Sequence, residues 1–258
     1  MLSTGRVGTD TLTRVLALSP GLRAHHEPEP TMLLESRDAY QCPESTDTLG
    51  KAYLNMRYFS NPVSNSLRLC WRRDLVYVET SNRLTYFADR LADYFPLAKF
   101  VFLHRNPPDV IRSAMRRGYY NSHPWDPFRI TPRMDDPFLT HWEHWTSFEK
   151  CCWYWQAVNR FSHEFVGCCE PDRCFVLPFE CIKRAEVAVF QRLFDWLDVA
   201  SPRTDEIRAV LDVRHNQQET GEFPKWADWT YEQKRQMDSI IADVARTLGY
   251  GEYLNSTP

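Results

Sequence analysis

The sequence predicts an α/β fold, with a central, mostly parallel sheet wrapped by helices in a single domain spanning residues 1–258. Three observations carry that prediction. A scrap of apolar strand, Met1-Leu2-Ser3, runs through a glycine-containing turn straight into an amphipathic helix. The chain then returns at once as a second strand, Gly21-Leu22-Arg23-Ala24-His25. Three later apolar runs of strand length, around Val76, Phe100 and Val176, each give way to polar residues and then to a helical stripe. Strands alternating with helices in this way belong to parallel sheets, with functional residues beyond the carboxyl ends of the strands.

The composition fits that class. At 258 residues, 43% hydrophobic and 25% charged, the chain can bury a large core and reads as an ordinary soluble domain. A net charge of −3 argues against a nucleic-acid or anionic-membrane surface, so any polyanionic ligand needs a local concentration of arginines. Eight cysteines occur without C-x-x-C spacing, so no zinc or other metal site is expected. No apolar run reaches the ~18 residues of a membrane span. The cysteines are therefore read as reduced thiols of a cytoplasmic protein. The opening strand is short enough that removal of an upstream targeting segment stays open.

The opening turn, Ser3-Thr4-Gly5-Arg6-Val7-Gly8-Thr9-Asp10-Thr11, has the chemistry of an anion site. Glycines let the backbone approach an oxyanion, the first-turn amides lack intrahelical partners, and the macrodipole adds positive charge there. A nucleotide triphosphatase loop reads G-x-x-x-x-G-K-[ST]; here Thr9 follows Gly8 and the cation, Arg6, lies inside the loop. The first helix is expected over Thr9–Leu18, stopped by Ser19-Pro20-Gly21. Its ten residues carry the chain roughly 15 Å away and the following strand recovers roughly 16 Å. His26, Glu27 and Glu29 therefore land back beside the loop. A solvated His-Glu-Pro turn is the competing reading of that segment.

Residues 30–70 mix polar and apolar types, with helix expected near 45–58. Leu75-Val76-Tyr77-Val78-Glu79 reads as a buried strand ending in Thr80-Ser81-Asn82, before a helical stripe of Leu84, Phe87, Ala88 and Leu91. Phe100-Val101-Phe102-Leu103 is the next strand. It meets His104-Arg105, then Asn106 as a helix cap with Pro107 and Pro108 in the first turn, where a missing N–H is harmless. On that helix Ser113 and Arg117 are four apart, and Arg116, three from Ser113, can reach the same side. Arginine suits phosphate because its planar fork binds in two places and keeps its charge. A solvated basic helix face is the competing reading.

Residues 118–148 carry Tyr119, Tyr120, Trp125, Phe128, Phe138, Trp142 and Trp145 among prolines and acids. Long irregular segments of this kind serve as lids, although the same rings could simply cover the core. A helix is expected over Phe148–Phe161, a buried strand over Cys174–Pro178 followed by Phe179-Glu180, an amphipathic helix from Val187 to Leu197, and a final helix at about 230–248. A polar loop runs from His215 to Trp226.

Three windows, 3–11, 25–29 and 104–117, together resemble the sulfotransferases that use PAPS (3′-phosphoadenosine 5′-phosphosulfate). The resemblance covers nearly the whole chain in order and implies a P-loop-type three-layer sandwich. It implies that Arg6, Val7, Gly8, Thr9, Asp10 and Thr11 bind the 5′-phosphosulfate. By the same resemblance Glu27 is the general base, with His26 and Glu29 as substitutes, and Arg105, Ser113 and Arg117 hold the 3′-phosphate. Lys225 would lie on a late loop that closes over the nucleotide. The implied reaction moves a sulfuryl group from PAPS to the hydroxyl of a small-molecule, carbohydrate or phenolic acceptor, leaving PAP, with no metal. Two departures stand out. Ser81-Asn82 replaces a Lys-Thr-Pro-like element, and Asp10 stands where the family prefers Thr or Ser. They keep open an inactive sulfotransferase-like nucleotide-binding module, while the missing Gly-Lys pair disfavours a P-loop kinase.

Overall fold

A computed structural model describes residues 1–42, 46–60, 62–213 and 221–254. The opening residues form a single parallel bridge, Leu2 to Phe102, rather than a full strand. Beyond the glycine turn, helix α1 covers Thr9–Leu16, two residues shorter than expected, and strand β1 covers Leu22–His25. Helices α2 (Leu33–Gln41), α3 (Thr46–Phe59) and α4 (Pro62–Arg73) extend on both sides of the 45–58 stretch where helix was expected. Position 45, where that helix was expected to begin, lies outside the described residues. Strand β2 (Val76–Glu79) pairs in parallel with β1, Leu22 opposite Val76 and His25 opposite Glu79. A short 3₁₀ turn over Asn82–Phe87 leads into α5 (Ala88–Tyr94).

Strand β3 (Phe100–His104) feeds α6 (Pro107–Arg116), and α7 runs over Ser147–Cys168, seven residues beyond the expected end. Strand β4 (Cys174–Pro178) pairs in parallel with β3, Phe100 opposite Cys174 and His104 opposite Pro178. Helices α8 (Phe179–Lys183), α9 (Val187–Trp196), α10 (Thr204–Leu211) and α11 (Tyr231–Thr247) complete the chain. Among the described residues all strand pairing is parallel, as expected of the class. The sheet differs from a continuous one: it consists of two parallel pairs, with Leu2 bonded through its amide and carbonyl to Val101 and Leu103 of β3. Val76 and Val176 are exposed, although both runs read as buried strands.

Helix α7 is the pillar of the core. Thr146 caps it and exchanges a reciprocal bond with Glu149, satisfying two amides that a helix start would otherwise leave open. Its buried residues, among them Phe148, Cys152, Trp153, Trp155, Val158 and Phe165, lie all round the axis, because α6, α11 and β3 pack against it. Helix α1 packs on β1 and α10, and α4 on β2. The rings of 118–148 differ in burial. Trp142 is buried in the main core, whereas Trp125 and Phe128 are exposed. Of the cysteines, Cys70, Cys151, Cys152 and Cys181 are buried. Among the described residues no helix is long and apolar enough to cross a membrane.

Candidate active site

The glycine turn is built around three residues in left-handed backbone: Gly5 at φ 70°, Arg6 at φ 59° and Gly8 at φ 87°. Gly8 precedes the first turn of α1, and Phe179 leaves no room for more, since a Cβ on Gly8 would lie 2.7 Å from its ring. Asn82 packs in the same way against Gly5, at 3.1 Å from where a Cβ would stand. The polar end of β2 thus buttresses the turn. Tyr154 of α7 donates its hydroxyl to the Thr4 carbonyl at 3.0 Å, and Thr85 bonds both the amide and the carbonyl of Ser3.

The end of β3 is fixed just as firmly. Asn106 accepts from the Asp109 amide at 3.0 Å and caps α6 as its sequence position predicts. Glu180 accepts from the Asn106 amide and side chain at 3.2 and 3.0 Å. Trp155 of α7 donates to the Arg105 carbonyl at 3.0 Å. Neighbouring residues of one helix, Tyr154 and Trp155, therefore hold the two anion-site candidates in register.

Turn and elbow meet in one cavity of about 740 Å³, within the range of ligand pockets. Among the described residues the cations on its wall are Arg6, Arg105, Arg112, Arg116, Lys183 and Lys225, against the acids Asp10, Asp109 and Asp212. Gly8, Thr9, Thr11 and Ser113 line it as well. The two halves touch directly. Arg6 Nε donates to Ser113 Oγ at 3.2 Å, and Arg105 donates to the Arg6 carbonyl at 3.3 Å. Arg105 also pairs with Asp109 at 2.6 Å and lies 4.2 Å from the centre of the Phe179 ring. Burial, then the like charges of Arg117 and Arg105, push the Arg6 pKa down, while Tyr119 and Glu27 oppose the shift. Burial alone would raise the Asp109 carboxyl, but Arg105 overrides it and holds Asp109 below the usual carboxylate range.

Other site candidates fall elsewhere. Val7 is wholly buried in the core, so only its backbone faces the turn. Arg117, the C-cap residue of α6, lies off the cavity wall and Arg116 on it. Arg117 instead stands beside Arg6. The Nε atoms of Arg105 and Arg117 are buried without a partner among the described residues. Asp10 is answered by Arg14, one turn along α1, at 3.1 Å. Lys225 reaches the wall because Arg112 and Arg116 donate to the carbonyls of Phe223 and Gly221, at 3.0 and 2.8 Å. Positions 214–220 of the late loop lie outside the described residues.

His26, Glu27 and Glu29 are also off the cavity wall, and they differ among themselves. His26 Nδ1 is engaged by Thr80, 3.2 Å from its carbonyl and 3.1 Å from its hydroxyl. Glu29 accepts from the Thr31 amide at 3.1 Å. Glu27 is exposed, with left-handed backbone at φ 42°, and its charge is felt at Arg6. No hydrogen bond holds its carboxylate among the described residues. Sequence reasoning passed over Phe179, Tyr154 and Trp155 as parts of this site, since each reads as an ordinary core aromatic. Among the described residues no group of three His, Cys, Asp or Glu side chains is placed to hold a metal.

A family model described as the sulfotransferase family matches residues 1–203. The crystal structure of a sulfotransferase from Mycobacterium avium is similar at a TM-score of 0.50 and 14% sequence identity, over 95% of this chain and 75% of that one. At such identity the likeness is one of fold. No curated protein matches the chain.

Proposed function

The chain belongs to the sulfotransferase family, and from that premise we propose that it transfers a sulfuryl group from PAPS to the hydroxyl of a small-molecule, carbohydrate or phenolic acceptor. The observation that carries the reading is the shared cavity. Six cations against three acids among the described residues, on a chain whose net charge is −3, make a local anion site built from the glycine turn and the β3–α6 elbow. A glycine turn at a helix start suits one phosphate and an arginine elbow suits another, as adenosine 3′,5′-bisphosphate requires.

In this reading Arg6 and the amides of Gly8 and Thr9 face the bridging oxygen between sulfur and the 5′-phosphate. As that S–O bond breaks and the acceptor oxygen bonds to sulfur, they offset the negative charge gathering on the departing phosphate. Glu27 accepts the proton released from the acceptor hydroxyl. His26 is less suited to that task because Thr80 engages its ring nitrogen, and Glu29 is turned to its own loop. Arg105 and Ser113 hold the 3′-phosphate, Arg116 stands on the same wall, and Lys225 approaches from the late loop. Arg117, beside Arg6, adds charge to the turn. The protein's work is positioning and charge stabilisation, as in phosphoryl transfer.

The test is Glu27→Gln, read by sulfur-labelled PAPS turnover and by calorimetry with adenosine 3′,5′-bisphosphate. Turnover should fall about 100-fold or more, with the dissociation constant within about threefold of wild type. Loss of nucleotide binding in step with turnover would remove Glu27 from the base role.

A further inference from the structure

Glu27 is bracketed. On its amino side His26 is bonded to Thr80. On its carboxyl side the backbone of Pro28-Glu29-Pro30 is held by a residue that shares no wall with the cavity, Arg57 of α3. The Arg57 guanidinium is fully buried. One terminal nitrogen donates to the Pro30 carbonyl; the other donates to the Pro28 carbonyl at 3.2 Å and to Glu79. Glu79, itself buried, accepts further from the hydroxyls of Tyr58 and Tyr77, each at 3.2 Å.

This is a poor arrangement for stability alone. A buried ion pair is seldom better than well-packed apolar residues, and here Arg57 Nε is stranded without a partner among the described residues. It makes sense as a clamp. Glu79 and two tyrosines fix the plane of the guanidinium, and its free edge then grips the two carbonyls that flank Glu29. A bidentate, planar cation is the one side chain that can do this, since a lysine offers a single point charge. Glu27, so bracketed, has no hydrogen bond to its carboxylate among the described residues and keeps a left-handed backbone, a conformation that persists only where its surroundings impose it.

We propose that Arg57 is a positioning residue for the general base: by clamping Pro28 and Pro30 from inside the core it holds Glu27 at the orientation from which the acceptor's proton is taken. The proposal rests on the reading of Glu27 as base given above. It assigns no contact between Arg57 and either substrate.

The test compares Arg57→Lys, Glu27→Gln and the double variant, with Tyr77→Phe as a milder loosening of the same clamp should Arg57→Lys fold poorly. Hydrogen exchange by mass spectrometry follows the amides of 26–32 and of the opening turn 3–11. Calorimetry follows adenosine 3′,5′-bisphosphate, and turnover of labelled PAPS is measured with 4-nitrophenol and with water as acceptors. For Arg57→Lys, exchange should quicken at 26–32 and not at 3–11. The dissociation constant should stay within about threefold, and turnover should fall about 10- to 100-fold, the scale of a small misplacement of a reacting group. Because Arg57 acts through Glu27, the double variant should turn over no more slowly than Glu27→Gln alone. Unchanged exchange at 26–32, equal loss of nucleotide binding, or multiplying defects in the double variant would each overturn the proposal. If Glu27→Gln itself keeps wild-type turnover, the base reading falls, and exchange at 26–32 still reports whether the clamp exists.

Discussion

Gly8 shows how little latitude the glycine turn has. Its φ of 87° is costly for any residue with a Cβ, and that atom would meet the Phe179 ring at 2.7 Å. Gly8→Ala should therefore lose about 2–3 kcal/mol of stability, from backbone strain and overpacking together. Urea unfolding checks the loss, and Phe179→Ala in the same chain should recover part of it by removing the ring. The glycine itself was legible in the sequence, but the ring that enforces it was not, since Phe179 follows β4 and is brought to the turn only by the fold. Asp10 is the converse case. Its place beside an anion site is unfavourable on sequence grounds, yet Arg14 lies one turn along the helix and pairs with it at 3.1 Å. That partner was readable from four-residue spacing. Arg57 carried no local signal at all: one arginine in a mixed helix has no pattern, and its meaning lies in Glu79 and two proline carbonyls distant in the chain.

At the scale of elements, the β3–elbow–α6 unit was the most readable part of the chain, because strand, cap and first-turn prolines each obey local rules. A relay that no local rule predicts holds its base. Tyr250, after the last helix, donates its one hydroxyl proton to Glu180 at 3.0 Å, so its oxygen accepts from His104 Nδ1 at 2.8 Å, and Glu180 in turn holds Asn106. Burial depresses the His104 pKa to about 4, from an ordinary value of about 6.5. As pH falls through that window the unfolded chain takes up a proton that the folded chain refuses. The contribution to stability is therefore fully present above about pH 6.5 and lost progressively toward pH 4, amounting to about 2 kcal/mol by about pH 5. Urea unfolding at about pH 7.5 and pH 5 should show wild type losing roughly that much more than His104→Gln. An equal pH dependence in both chains would remove His104 from this role. Among the helices, α7 exceeded its expected end because its sequence keeps burying residues as far as Phe165. Val76 and Val176 were misjudged as buried because an apolar strand announces its type, but not whether a neighbour covers it.

Over the whole molecule the charge is unevenly spent: the chain carries a net −3, yet among the described residues six cations and three acids face one cavity. Binding there should respond to salt as a local cationic site does. Adenosine 3′,5′-bisphosphate is expected to weaken about tenfold between low and roughly 0.5 M salt, and to bind more tightly than AMP. Arg105→Met should close most of the gap between the two nucleotides by removing the elbow's charge, which calorimetry would show; a gap that persists in the variant would place the second phosphate elsewhere. The sequence by itself determined the α/β class, the parallel sense of the strands, the glycine turn and the capped elbow. Each of these follows from residues within a helical turn or a strand length of one another, where propensity, capping and periodicity act. Only the tertiary structure decided that turn and elbow share one cavity, with Arg6 on Ser113, that Arg116 rather than Arg117 faces it, and that Arg57 holds the Pro28 and Pro30 carbonyls from within the core. Those outcomes depend on how α3, α6 and α7 pack against the strands, and packing is settled by shape and burial across the whole chain, which no local stretch of sequence encodes.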